Sequence, residues 1–364
     1  MMRLTTTVGF EYEFSGSTMT RVEQALRDKN VHCTRPAGWH RSDGSIWDLK
    51  TDSTCGWEVA SPVLETYEQL VDAAHVGALI AGAGGSVNDS CGFHVHIGIG
   101  SMTPVQIENI FRFMTRYEAA FFLLVPPVRR RSSWCKNLSE DQVRKIKRAN
   151  VTNREWWNMT WADKNVWLNG RRYPEIKTLE FRIMPGTLNP NFIIGYVTFL
   201  LCMINTVKDR KISWGTAKGK DNRSMFQTML GQAGFYGPFT TPEQKELYVT
   251  GRKWALERYS ISETMDTFAL IPRDYRVSRV EIKIPSVSIR PSWSQPQADK
   301  PRRRRSPRAT PAMSESVTTA TTIVTAQTTS QTDFVTGQTD SNTTMGDLWA
   351  VDEVIGTTNN TTLV

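Results

Sequence analysis

Three stretches of the chain alternate polar and apolar residues with a period of two, which is the spacing of a half-buried β-strand. In Val8-Gly9-Phe10-Glu11-Tyr12-Glu13-Phe14 the two glutamates share one face, and Phe10, Tyr12 and Phe14 share the other. Cys91-Gly92-Phe93-His94-Val95-His96-Ile97-Gly98 pairs His94 with His96 in the same way. Lys177-Thr178-Leu179-Glu180-Phe181-Arg182-Ile183-Met184 pairs Glu180 with Arg182. A fourth strand, from Trp57 to Val63, carries Glu58. Each pattern predicts one face in the core and one polar wall.

The segments between these strands repeat at helical spacing. Thr20-x-x-Glu23 has the form of a capping box and predicts a helix to Asn30. Tyr67 to Ala83 reads as a helix stopped by Gly84-Gly85. Thr103-Pro104-Val105-Gln106 opens a helix that runs to Val125, with Ile107, Ile110, Phe111, Met114 and Phe121 on its buried side. Further helices are expected at Glu140 to Ala149 and Glu243 to Tyr259. Val31 to Thr34 and Arg279 to Ile289 read as strands, and Gly38 to Ser45 as a loop. Phe192 to Val207 is the most apolar stretch. It is short for a membrane span and contains Asn205, while Asn189 and Pro190 supply the cap and first turn of a buried core helix. The expected fold class is α+β: a curled, mainly antiparallel sheet lining a funnel, with helices on its other side.

Composition divides the chain. Residues 1–291 carry the patterns above, more weakly from 208 onwards. From Ser292 a Pro/Arg-rich segment gives way to Thr, Ser, Gln and Asn, so 292–364 is expected to be a disordered tail. Part of the net charge of +8 sits there, in Lys300, Arg302, Arg303, Arg304, Arg305 and Arg308. This 300–308 cluster suits an anionic partner, a nucleic acid or an acidic protein. Five cysteines without a Cys-x-x-Cys spacing, and an N-terminus without an apolar leader, point to free thiols in a reducing, cytoplasmic setting.

The paired polar residues carry the candidate chemistry. Carboxylates bind hard cations, imidazole adds a nitrogen ligand, and arginine clamps phosphate oxygens. Taken singly, each pair is as well read as a solvated strand face or a structural ion pair; together they suggest a metal–nucleotide site. Arg129-Arg130-Arg131 reads as a solvated loop or a phosphate clamp. Trp156, Trp157, Trp161 and Trp167 read as packing before they read as a base platform. Cys91 adjoins the histidine strand, but neighbouring strand residues face opposite ways, which argues against a Cys–His nucleophile.

Gly-Phe-Glu-Tyr-Glu-Phe, Asp43-Gly44-Ser45, Gly56-Trp57-Glu58-Val59-Ala60-Ser61-Pro62, Cys-Gly-Phe-His-Val-His and Leu-Glu-Phe-Arg follow one another over residues 8–205. In this order they resemble the amidoligase family, in the carboxylate-amine ligase group related to glutamine synthetase. The resemblance implies ATP-dependent amide or isopeptide formation through an acyl phosphate, on a peptide, amino acid or protein. It implies Glu11, Glu180 and His94 on the magnesium or manganese ion nearest the phosphates, and Glu13 and Glu58 on a second. Arg182 would meet the transferring phosphoryl group, and Arg129 and Arg131 would support the nucleotide. His96 and Asp43 would lie in a second shell or face substrate, and Glu58 is the carboxylate placed to take the amine's proton. Glutamine synthetase has two close glutamates where only Glu58 matches, so one or two ions remain open, with Asp43 or Asp48 as substitutes. A metal-dependent amide hydrolase and a catalytically silent protein that binds anions through its basic tail are the competing readings. The acyl and amine substrates and the oligomeric state have no readable code.

Overall fold

The computed structural model describes residues 2–35, 45–217 and 221–264, with side chains to residue 261. Asp43, the Arg279–Ile289 pattern and the tail from Ser292 lie outside the described residues. The sheet has eight strands: β1 (Arg3–Phe14), β2 (Cys33–Thr34), β3 (Trp47–Asp52), β4 (Gly56–Ala60), β5 (Leu64–Thr66), β6 (Gly92–Gly98), β7 (Leu168–Asn169) and β8 (Thr178–Pro185). They are ordered β2-β3-β4-β1-β6-β8-β7, with β5 pairing β1 off this path. All pairs are antiparallel except β2 with β3. The mixed α+β class and the mainly antiparallel sheet agree with the alternating pattern.

The helices are α1 (Met19–Arg27), α2 (Tyr67–Gly82), α3 (Pro104–Phe122), α4 (Pro127–Arg130), α5 (Glu140–Lys147), α6 (Arg154–Thr160), α7 (Tyr173–Ile176), α8 (Pro190–Val207), α9 (Asn222–Gln232) and α10 (Pro242–Thr264). Capping explains several boundaries. Thr103 and Gln106 make both bonds of a capping box ahead of α3, and Thr66 with Gln69 does so ahead of α2. Asn189 caps α8 through the amides of Asn191 and Phe192. The first helix differs from expectation: Thr18, in an extended conformation, accepts from Arg21 N–H and starts the helix ahead of the Thr20/Glu23 pair.

Helices α2 and α8 cover the apolar sheet face. Tyr12 donates its hydroxyl to Ala73 O at 2.8 Å, and Phe93 packs edge-on to Tyr196 at 6.4 Å. Gly77 permits this approach, because a Cβ there would meet Leu188 O at 2.8 Å and the Tyr12 ring at 3.1 Å. Helix α8 is long and apolar enough to cross a membrane by length and composition, yet 78% of it is buried inside the protein. It is the central core helix. The tryptophans pack: Trp157 stacks on Trp161 at 5.2 Å, and Phe111 meets Trp156, Trp157 and Trp161.

Candidate metal and nucleotide site

The polar sheet face is assembled by register. Glu11 lies opposite Ala60 on β4 and His94 on β6, and Ala60 lies opposite Asp48 on β3. One row along, Glu13 faces Glu58, which faces Lys50. On the other side, Gly9 faces His96, which faces Glu180, which faces Asn169. Because opposed residues share a face, every one of these side chains lies on the wall away from α2 and α8. The spacing of two that put each pair on one face in sequence thus brings residues from six strands together.

Strand β8 reaches Arg182 through an irregularity. Its partners run from Val95↔Phe181 to Phe93↔Met184, so two residues of β8 oppose His94 alone, a β-bulge. The bulge leaves carbonyls that the ladder does not satisfy. Arg129, 4% exposed, donates Nε to Ile183 O at 3.1 Å and Nη2 to Arg182 O at 3.0 Å. Arg129 thus holds the strand that bears Arg182. Arg131 is exposed. Neither lines the cleft above the site.

His94 sits in the middle of the acidic set. Its Nδ1 is 3.3 Å from Glu11 Oε2 and 3.6 Å from Glu180 Oε1, and its Nε2 is 3.4 Å from Glu13 Oε1. The ring folds back over Gly92, where a Cβ would meet Nε2 at 2.5 Å, so only glycine fits there. Gly92 N–H also donates to Glu13 Oε2 at 2.5 Å. Burial and the Arg182 charge push the His94 imidazole down, but Glu13, Glu11 and Glu180 outweigh them and hold it above its usual range.

His96 is disposed differently. Its Nδ1 meets Thr178 Oγ1 at 3.1 Å, while its buried Nε2 has no hydrogen-bond partner and lies 3.5 Å from Glu11 Oε1. Glu11, His96 and Glu180 are the cluster whose ligand atoms all lie within 4.8 Å of one another. Motif order favours His94 beside Glu11 and Glu180, and His94 is the nearer of the two; His96 is the histidine with an unpartnered nitrogen facing them. An imidazole whose far nitrogen is tethered and whose near nitrogen is unpartnered, beside two carboxylates, is a donor set that fits a divalent cation.

Burying so many carboxylates is costly unless cations offset them. Glu180 Oε1 accepts from Arg182 Nη1 at 2.5 Å, and Glu180 Oε2 accepts from Asn169 Nδ2 at 3.2 Å. Burial alone would raise the Glu180 carboxyl, but Arg182, His96 and His94 bring it below the usual value. Glu58 has weaker compensation. Burial first, then Glu11, push its carboxyl up to about 7 against the opposing pull of Lys50, whose ammonium is 3.0 Å away. A second positive charge near Glu58 and Glu13 would relieve that.

The cleft over this wall has a volume of about 1060 Å³. Its floor includes Glu11, Glu58, His96, Glu180 and Arg182, and its sides carry Arg35, Lys50, Lys164, Arg171 and Arg172. The basic side residues and Asn169 were not singled out from the sequence. Asn169 and its neighbours sit on the two-residue strand β7, too short to show a period, although Asn169-Gly170-Arg171-Arg172 is a turn signal beside paired cations. Strand β3 was also unanticipated, although Asp48, Lys50 and Asp52 alternate with Trp47 and Leu49.

No curated protein matches this chain. Among solved structures it is similar to the crystal structure of the complex between prokaryotic ubiquitin-like protein Pup and its ligase PafA. The TM-score is 0.40 at 11% identity, covering 72% of this chain and 64% of that one, so the match spans just under two thirds of the other protein's chain. A family described as "Putative amidoligase enzyme" matches residues 4–204, more than half of the chain and all of the sheet but its first residue. By that match, the chain belongs to the amidoligase family.

Proposed function

We propose that the chain is an ATP-dependent carboxylate-amine ligase that forms an amide or isopeptide bond on a peptide, amino acid or protein. Family membership supports the reaction class. The observation that carries the reading is the convergence of the buried Glu11, Glu13, His94, His96 and Glu180 with the half-buried Glu58 and Arg182 on one wall beneath a cation-sided cleft. A carboxylate has no usable leaving group, so it is first phosphorylated by ATP. The amine then displaces phosphate from the acyl phosphate, leaving amide, ADP and phosphate. Both halves demand placement and charge neutralisation more than covalent participation by the protein.

Glu11, His96 and Glu180 would hold one magnesium or manganese ion, and Glu13 and Glu58 a second. Bound there, such ions supply positive charge to phosphate oxygens. His94, within 3.6 Å of three carboxylates, keeps the two groups of ligands at a fixed separation. Arg182 presents its guanidinium to the transferring phosphoryl group, its position set by Glu180 and by Arg129 behind the bulge. Arg171 and Arg172, at the cleft side, are placed to meet anionic groups of nucleotide or substrate. Glu58, 3.0 Å from the Lys50 ammonium at the cleft, would accept the proton that the attacking amine loses.

The test is ADP release by the purified full chain, with panels of amines and carboxylates and with magnesium or manganese. Release that needs both an amine and a carboxylate, and that is lost in Glu180→Ala and Arg182→Ala, is the expected result. Amide cleavage by the same chain without nucleotide would replace the ligase with a metal-dependent hydrolase.

A further inference from the structure

We propose that Asn169 is a positioning residue that couples the floor of the cleft to one of its sides, so that an ion held on Glu180 sets the geometry of Lys164, Arg171 and Arg172. All five residues line the cleft. Asn169 is 4% exposed, and both ends of its carboxamide are engaged. Nδ2 donates to Glu180 Oε2 and to Lys164 O, each at 3.2 Å, and Oδ1 accepts from Arg171 N–H at 2.8 Å. The coupling rests on the reading of Glu180 as an ion ligand.

The side chain has one usable orientation. Turned over, the carboxamide would set its oxygen against a carboxylate and a carbonyl, and its N–H groups against the Arg171 N–H, and all three bonds would be lost. The backbone that carries it is fixed as well. Asn169 lies opposite Glu180, on the edge strand β7. Leu168 O accepts from Trp161 Nε1 at 2.8 Å, and a Cβ on Gly170 would meet the Trp157 ring at 2.6 Å. Trp157 in turn stacks on Tyr173, the residue after Arg172, at 4.1 Å. Tryptophans thus support this segment from outside the site, while the Asn169 side chain ties it to the carboxylate at the floor.

Glu180 is held at both oxygens, Oε1 by Arg182 Nη1 and Oε2 by Asn169 Nδ2. An ion on this carboxylate removes its remaining freedom, and Asn169, bonded to it, loses freedom with it. The turn closed by Oδ1 and the Arg171 N–H tightens in consequence, and with it the direction in which Arg171 and Arg172 leave the backbone.

Those cations are the ones whose charge is left for a ligand. Across the cleft, Arg35 is 2.6 Å from a Glu23 carboxylate oxygen and Lys50 is 3.0 Å from Glu58. Among the described residues, Lys164, Arg171 and Arg172 have no carboxylate partner. Coupling between two sites is reciprocal, so an anionic substrate group on these three side chains tightens the ion beneath as much as the ion tightens its hold on them.

The experiment is hydrogen exchange on the full chain, read by mass spectrometry over residues 164–172 with saturating manganese and with chelator, beside manganese affinity by calorimetry. In the wild type, manganese should slow exchange in this segment about tenfold. In Asn169→Ala that slowing should be lost, and manganese should bind about 10–100-fold more weakly, with the thermal midpoint in chelator near wild type. A residue that only filled space would leave the ion dependence of exchange in place. Wild-type exchange over 164–172 indifferent to bound manganese, slowing retained in Asn169→Ala, or equal manganese affinity in the two proteins would overturn the coupling and leave the ion site standing. Absence of manganese binding by the wild type would overturn the coupling together with the reading of Glu180. The wild-type comparison decides even where Asn169→Ala fails to fold.

Discussion

The two faces of the central sheet are written by alternate residues of the same strands, yet they are held together by opposite physics. On one face Phe10, Tyr12, Phe14, Phe93, Val95, Ile97 and Phe181 are essentially inaccessible and pack against α2 and α8. Burial of apolar surface stabilises that face, with a favourable contribution at each position. On the other face Glu11, Glu13, His94, His96 and Glu180 are also under 10% exposed, but there burial is a cost only partly offset by Arg182, Lys50 and neighbouring dipoles. The apolar face stabilises the fold. The polar face draws on that stability to keep charges close together in a dry setting, where a bound cation and an anionic substrate gain most.

This contrast can be broken from either side. The largest expected effect is on the polar face: Glu180→Ala should reduce ATP-dependent ligation by about two to three orders of magnitude. It should leave the thermal midpoint near wild type, read by calorimetry beside the turnover assay. A variant that unfolds would show that the face is structural. On the apolar face, Phe93→Ala should destabilise by about 3–5 kcal/mol, measured by denaturant unfolding. A change well under 1 kcal/mol would mean that the core does not rest on this strand.

The third prediction concerns pH. The Glu58 carboxyl is near 7 in the folded protein against a reference of 4.5. Between those values the folded state binds a proton that the unfolded state does not. The contribution of Glu58 to the stability of the metal-free protein is therefore full below the lower value and falls by up to about 3 kcal/mol as pH rises through the upper one. Saturating magnesium or manganese should flatten the fall. Midpoints that rise with pH in chelator would contradict the assignment. Lys50→Ala, which removes the ammonium 3.0 Å from Glu58, should move the fall to higher pH and deepen it by about 1 kcal/mol. The smallest effect is a control on neither face: Thr103→Ala, at the α3 cap, should cost about 1 kcal/mol and leave ligation unchanged.

Legibility followed the same division. The pairs Glu11/Glu13, His94/His96 and Glu180/Arg182 were readable because a period of two is a local property. Their convergence was not local: it depends on the order β4-β1-β6-β8, which strand pairing sets over long sequence separations. Capping residues Thr103 and Asn189 announced their helices because the bonds span only three residues, whereas the Thr66 cap of α2 is seen in the structure alone. Strand β3 was hidden beside a turn-rich stretch, and α9 inside a segment rich in glycine and polar residues. The position of Arg129 behind the β8 bulge was unreadable, since a bulge is a mismatch between two strands and neither sequence alone records it.

The account stands on the claim that the polar wall binds nucleotide through a divalent ion. Titration calorimetry of ATP into wild type and Glu180→Ala, each with magnesium, manganese or chelator, tests it most directly. The account predicts ATP binding that requires the ion and is lost in the variant. Absence of ATP binding by folded, ion-saturated wild type, or equal binding in chelator and in Glu180→Ala, would contradict it.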